Sequence, residues 1–136
     1  MSDSYGPLKL RGERVWRTYT GGREIGRIHG EQGAKDGHFP EEWMFSTTRA
    51  LNAGREEIEE GICRLDEDRE ISLKQLILSN PEDMLGKGHV GRWGASTGVL
   101  IKMIDSEERL TIQVHPDREM AGRLFNSRFG KTACWY

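Results

Sequence analysis

The spacing of apolar positions changes along the chain, and each change predicts an element. From Ser72 onward, Leu73, Leu76 and Ile77 recur at helical spacing, the mark of an amphipathic helix. Ser72-Leu73-Lys74-Gln75 reads as a capping box: the Ser hydroxyl accepts from the third amide and the Gln side chain reaches back. Asn80-Pro81-Glu82-Asp83 predicts a second short helix, with Asn as cap and Pro at the first position. Gly86 is expected to end it as a left-handed cap. The helical portion is thus expected around residues 72–85. After Gly98 the period becomes two. Residues 99–104 predict a strand, Asp105-Ser106-Glu107-Glu108 a turn, and residues 110–115 a second strand stopped by Pro116. So short a connection predicts an antiparallel hairpin. Residues 117–125 are expected to add a helical turn, and 131–136 to begin another strand.

The first half of the chain reads as short strands between turns. Eight glycines lie between residues 5 and 40, with Pro7 and Pro40, and turns of this density leave room for little regular structure. Leu8 and Leu10 alternate around Lys9, and Val15 with Trp16 marks a second strand. Ile25 and Ile28 suit one turn of helix. Residues 55–70 carry eight acids and three arginines and predict a solvated surface excursion. Their spacing is not that of an EF-hand calcium loop.

Composition narrows the class. A chain of 136 residues is one domain at most. The net charge of −2 offers no general attraction to nucleic acid or to anionic membranes. Apolar residues make up 35% of the chain, and 17 glycines add backbone without side-chain volume, so the core is thin for this length. No apolar run approaches the ~18 residues of a membrane span. The start, MSDSYGPLKL, lacks the basic and apolar regions of a secretory signal. Cys63 and Cys134 lie far apart with no CxxC pair, which argues against a zinc knuckle. Free thiols in a reducing, cytoplasmic setting are the plain reading, and a long-range disulfide is the alternative.

Two strings imitate nucleotide motifs and fail on context. Gly86-Lys87-Gly88-His89-Val90-Gly91 matches GxGxxG but follows a predicted helix end, whereas the dinucleotide fingerprint follows a strand. Gly130-Lys131-Thr132 ends like a phosphate loop, but the position five before Gly130 is Phe125. The informative segment is 110–115. In a strand, Leu110, Ile112 and Val114 face one way and Thr111, Gln113 and His115 the other. Gln113 and His115 then have Cα atoms roughly 6.5–7 Å apart, close enough to share a cation. Pattern alone also allows a merely wet strand face, and two ligands do not hold a metal. A catalytic zinc typically takes three protein ligands and a water. His29, His38 and His89, in glycine-rich loops, read as surface histidines.

The string Leu110-Thr111-Ile112-Gln113-Val114-His115-Pro116-Asp117, followed by Gly130-Lys131-Thr132-Ala133-Cys134-Trp135-Tyr136, resembles the class I mannose-6-phosphate isomerases. Upstream, Pro7-Leu8-Lys9-Leu10, Arg14-Val15-Trp16, Phe39-Pro40-Glu41-Glu42-Trp43 with Ser46, and Gly98 to Asp105 resemble the same family's segments in the same order. The resemblance implies a mainly β, cupin-like (jelly-roll) barrel with the helices inserted. It implies a zinc-dependent enzyme interconverting mannose 6-phosphate and fructose 6-phosphate through an enediol. It makes His115 a metal ligand and Gln113 a metal ligand or a neighbour of the site, and it places Thr111 and Lys131 on the substrate. The proton-transferring base is unassigned.

The pattern departs from the family at one decisive place. Two residues after the lysine, where the family carries a glutamate ligand, stands Ala133. A later histidine ligand and an arginine of the family's second half also have no counterpart. Residues 1–136 are therefore expected to be the N-terminal portion of a cupin-type isomerase domain, an incomplete barrel. Three classes follow. The chain is an isomerase or part of one; a non-catalytic sugar-phosphate binder; or a cupin fragment that self-associates or is completed by a second-half chain.

Overall fold

The computed structural model describes residues 6–66 and 70–136. Residues 1–5 of the expected non-secretory start, and 67–69 of the acidic stretch, lie outside the described residues. Two small antiparallel sheets form the β structure. β1 (Leu10–Arg11) pairs with β4 (Arg64–Leu65). β3 (Glu41–Phe45) lies between β2 (Glu13–Val15) and β5 (Ile101–Ile104) in the order β2-β3-β5. Its register aligns Val15 with Glu41 and Trp43 with Lys102, and a bulge lies between Trp43 and Phe45.

Among the described residues five helices complete the fold: α1 (Arg23–Ile28), α2 (Leu73–Ser79), α3 (Pro81–Leu85), α4 (Lys87–Trp93) and α5 (Arg118–Phe125). The capping box at Ser72 forms in full. Leu73 and Ile77, four apart, are buried against Cys63, with Leu10, Phe45, Met84, Leu85 and Ala95 packed around them. A second cluster joins Val15, Trp43 and Ala50, with Leu100 against it. The single helical turn expected at Ile25 and Ile28 is α1, and that expected after Asp117 is α5. The helical region runs on to Trp93, beyond the expected limit at 85. Gly86 has a positive φ of 81°, but its ψ of 146° is extended; the chain turns sharply there and re-enters a helix.

Several expectations are corrected. The mainly β expectation holds only in part: two sheets are present, but among the described residues more lie in helices than in strands, and these form no closed barrel. The hairpin of 99–104 with 110–115 does not form. β5 pairs with β3 instead, and residues 110–115 and 131–136 belong to no strand. The reason lies in the intervening turn. Asp105 accepts hydrogen bonds from the Gly22 and Glu24 amides (3.1 and 2.6 Å), and the Glu107 amide donates to the Thr20 carbonyl (3.0 Å). These bonds tie residues 105–108 to the start of α1, so the chain cannot fold straight back on β5. The acidic excursion is only partly solvated. Glu60, Ile62 and Cys63 are buried, and Glu60 accepts from the Trp16 amide (3.1 Å) and pairs with Arg55.

Candidate functional site

Helix α5 determines which of the predicted site residues meet. Asp117 caps it, accepting from the Met120 amide (2.8 Å), and Asn126 closes it in the left-handed conformation. The Lys131 amide then donates to the Pro116 carbonyl (2.9 Å). The two chain segments flanking α5 are thereby held side by side. As a result the Lys131 ammonium donates to Gln113 Oε1 across 2.7 Å. Thr111 and His115 lie on the same exposed segment but make no side-chain hydrogen bond among the described residues.

The enclosed row of Thr111, Gln113 and His115 is therefore not formed. All three are exposed, and so are Ile112 (94%) and Val114 (79%) of the expected opposite face. Without a neighbouring strand nothing imposes the alternation of faces. The residues present also do not assemble a zinc site. Among the described residues no three His, Cys, Asp or Glu side chains are grouped to hold a metal. The amide oxygen of Gln113 already faces an ammonium, and position 133 is alanine.

The other histidines are held by partners rather than left loose. His29 Nε2 lies 2.6 Å from Glu42 Oε2. His38 stacks on Trp16 with ring centres 5.5 Å apart and bonds the Arg17 carbonyl. His89 bonds the Ser96 carbonyl (2.7 Å).

The most strongly perturbed carboxylate is Glu41 on β3, which the sequence reading did not single out as a site. Its side chain is 4% exposed, with Arg17 Nη2 and Lys102 Nζ each at 3.0 Å. Tyr19 Oη donates to Oε1 (2.6 Å) and Trp43 Nε1 to Oε2 (2.8 Å). Burial by itself raises a carboxyl pKa. Here the bonds from Trp43 and Tyr19, the charge of Lys102 and the bond from Arg17 outweigh it and bring the value down to about 2. The Tyr19 phenol is pushed well above its ordinary value, first by burial and then by its bond to Glu41. A carboxylate so acidic is a fixed negative charge and a poor proton acceptor near neutrality. Glu41 is therefore an anchor of the central strand, not a catalytic base. The available signal was two consecutive acids beside Trp43 in a stretch with few other polar groups.

Comparison with known proteins supplies what the geometry leaves open. The chain is 39% identical over 59 residues to the mannose-6-phosphate isomerase of Eremothecium gossypii, covering 42% of this chain and 14% of that protein. It is 38% identical over 58 residues to the probable mannose-6-phosphate isomerase GmuF of Bacillus subtilis, covering 40% and 18%. With mannose-6-phosphate isomerase ManA of Bacillus subtilis it shares 45% over 38 residues, covering 28% and 12%. The matched stretches thus span less than a fifth of each of these relatives. No solved structure matches the chain significantly. The family model described as phosphomannose isomerase type I, catalytic domain, matches residues 34–129. That stretch is well over half of the chain and contains β3, the helical insertion, β5 and the segment bearing Gln113 and His115, so the chain belongs to the type I phosphomannose isomerase family through its catalytic domain.

Proposed function

We propose that this chain carries the sugar-phosphate-facing segment of a type I phosphomannose isomerase, acting on mannose 6-phosphate or fructose 6-phosphate. The observation that carries the reading is the family match over 34–129, joined to the contact of Lys131 with Gln113. In this reading Lys131 holds the phosphate as a point charge, and the Thr111 hydroxyl adds a hydrogen bond. A ligand phosphate would draw the Lys131 ammonium away from Gln113 and free its amide oxygen. Gln113 and His115 are the chain's contribution to a zinc centre in a completed cupin barrel. The remaining ligands and strands would come from further sequence, a complementing chain or a second copy. A soluble, reducing compartment suits the two free thiols; among the described residues no helix is long and apolar enough to cross a membrane.

Ala133 and the incomplete ligand set favour a second reading, a sugar-phosphate binder without turnover. One pair of measurements separates the two. Calorimetric titration of the purified chain with mannose 6-phosphate reads binding, and a coupled assay for fructose 6-phosphate in the presence of zinc reads turnover. Binding with turnover supports the isomerase, and binding alone supports the second reading. In either case Lys131→Ala should weaken binding about tenfold or more, as expected for loss of a charge-assisted hydrogen bond. Neither heat nor turnover, from a chain shown to be folded, refutes both.

A further inference from the structure

A cleft of about 280 Å3 opens between the end of α4 and the start of α5. Trp93 and Phe129 form its apolar walls, with ring centres 6.4 Å apart and planes at 43°. Three guanidinium groups converge on these rings. Arg92 and Arg118 lie 4.9 and 5.5 Å from the centre of Trp93, and Arg128 lies 5.9 Å from the centre of Phe129. Arg118 lines the cleft and donates from Nε to the Arg128 carbonyl (3.3 Å); its Nη groups make no hydrogen bond among the described residues.

Arg17, Arg23, Arg27, Arg55 and Arg64 each pair with a carboxylate. Arg92, Arg118 and Arg128 have no such pair among the described residues. Arginines without a carboxylate partner occur elsewhere too, Arg14 and Arg49 among them, which bond carbonyl oxygens instead; what sets this cleft apart is that three such guanidiniums gather on two neighbouring rings. Guanidiniums gathered on two neighbouring rings repel one another, and aromatic faces offset that only in part. An anion would relieve the repulsion, and Arg offers it a planar fork of donors. The volume is just below the range usual for small-molecule pockets, about 300–1,000 Å3, and so suits a single ring.

We propose that this cleft is a binding site for a small organic anion, a ring-bearing phosphate or carboxylate. Its ring lies against Trp93 and Phe129 and its charge lies on Arg118. The site is separate from Lys131 and Gln113 and does not depend on isomerase activity. Phenyl phosphate is the probe, followed by the amide and indole NMR signals of the full chain, with Trp93 assigned through Trp93→Phe. Saturable shifts are expected at the Trp93 indole and at Ser96, Thr97 and Gly98. Inorganic phosphate, lacking the ring, and benzyl alcohol, lacking the charge, should each bind at least tenfold more weakly. Arg118→Ala should also cost tenfold or more in affinity, and Arg118→Lys should restore part of it. Arg118 is exposed, so both variants should keep the native amide spectrum; if either does not, Arg118→Gln serves as the test with the same expected loss. The proposal is overturned if the native chain gives no saturable shift at Trp93, if either control binds as tightly as phenyl phosphate, or if a folded arginine variant binds like the native chain.

Discussion

Replacing Glu41 with glutamine tests the central strand's electrostatics directly. In the native fold the carboxyl pKa falls from its ordinary 4.5 to about 2. At about 1.4 kcal/mol per pH unit, that difference corresponds to about 3 kcal/mol of stability. The sign follows from the direction of the shift. Because the folded value is depressed, this stability is complete above about pH 5 and is lost as the pH falls from 4.5 toward 2. Glu41→Gln removes the charge while leaving Arg17 and Lys102 at their places beside it. The loss at pH 7 should therefore be of order 3 kcal/mol, within the range for breaking a buried pair from one side. Urea unfolding followed by tryptophan emission at pH 7, 5, 4 and 3 measures both quantities, since the Trp43 indole is bonded to the same carboxylate. The native chain should weaken steeply below pH 5, and the variant should be weaker throughout but flatter across that interval. A variant within 1 kcal/mol of native at pH 7, or one with the native slope, would refute the reasoning.

Three further outcomes are expected. Ser72→Ala removes one half of the capping box on α2 and should cost about 1 kcal/mol; an unchanged urea midpoint contradicts this. Gly61 has φ +91°, and an added Cβ would lie 2.6 Å from the Trp43 ring. Gly61→Ala should therefore cost about 1–3 kcal/mol, whereas Gly88→Ala, in α4 with open space around it, should be neutral or slightly stabilising in the same melt. Under native conditions an aromatic disulfide reagent should titrate Cys134 alone. Cys134 is exposed, while Cys63 is fully buried, its thiol pushed up by that burial; both should react in denaturant, and two fast native thiols would contradict the packing.

The parts of the fold legible in the sequence are those made by near neighbours. The capping box of α2 and the Asp117 cap of α5 each close hydrogen bonds within a few residues, and Pro81 opens α3 at its first turn, although the expected Asn80 side-chain cap makes no hydrogen bond. Their residue types therefore carry the information. The continuation into α4 is not legible because two glycines in seven residues weaken its helical pattern. β3 is not predicted because Glu41-Glu42 breaks any alternation of apolar and polar positions, although both acids are buried. The candidate site was legible as a string of residue types, from which the family follows. Its geometry was not: Gln113 and Lys131 meet, while Thr111 and His115 make no side-chain hydrogen bond among the described residues.

What the sequence determined alone is local: the helix caps, the glycine turns, the absence of a strong net charge and the identity of the QVHPD and GKT segments. What the tertiary structure decided is pairing. β5 lies on β3 with Asp105 and Glu107 bound to the turn at Thr20–Glu24, a geometry that leaves no room for a hairpin back onto β5. Glu41 became a strong acid because Arg17, Tyr19, Trp43 and Lys102, spread over 86 positions of chain, converge on it. A strand's alternation states that one face can be buried, but not which neighbour will bury it. That choice depends on contacts between distant residues, each of which must offset the entropy of closing its loop.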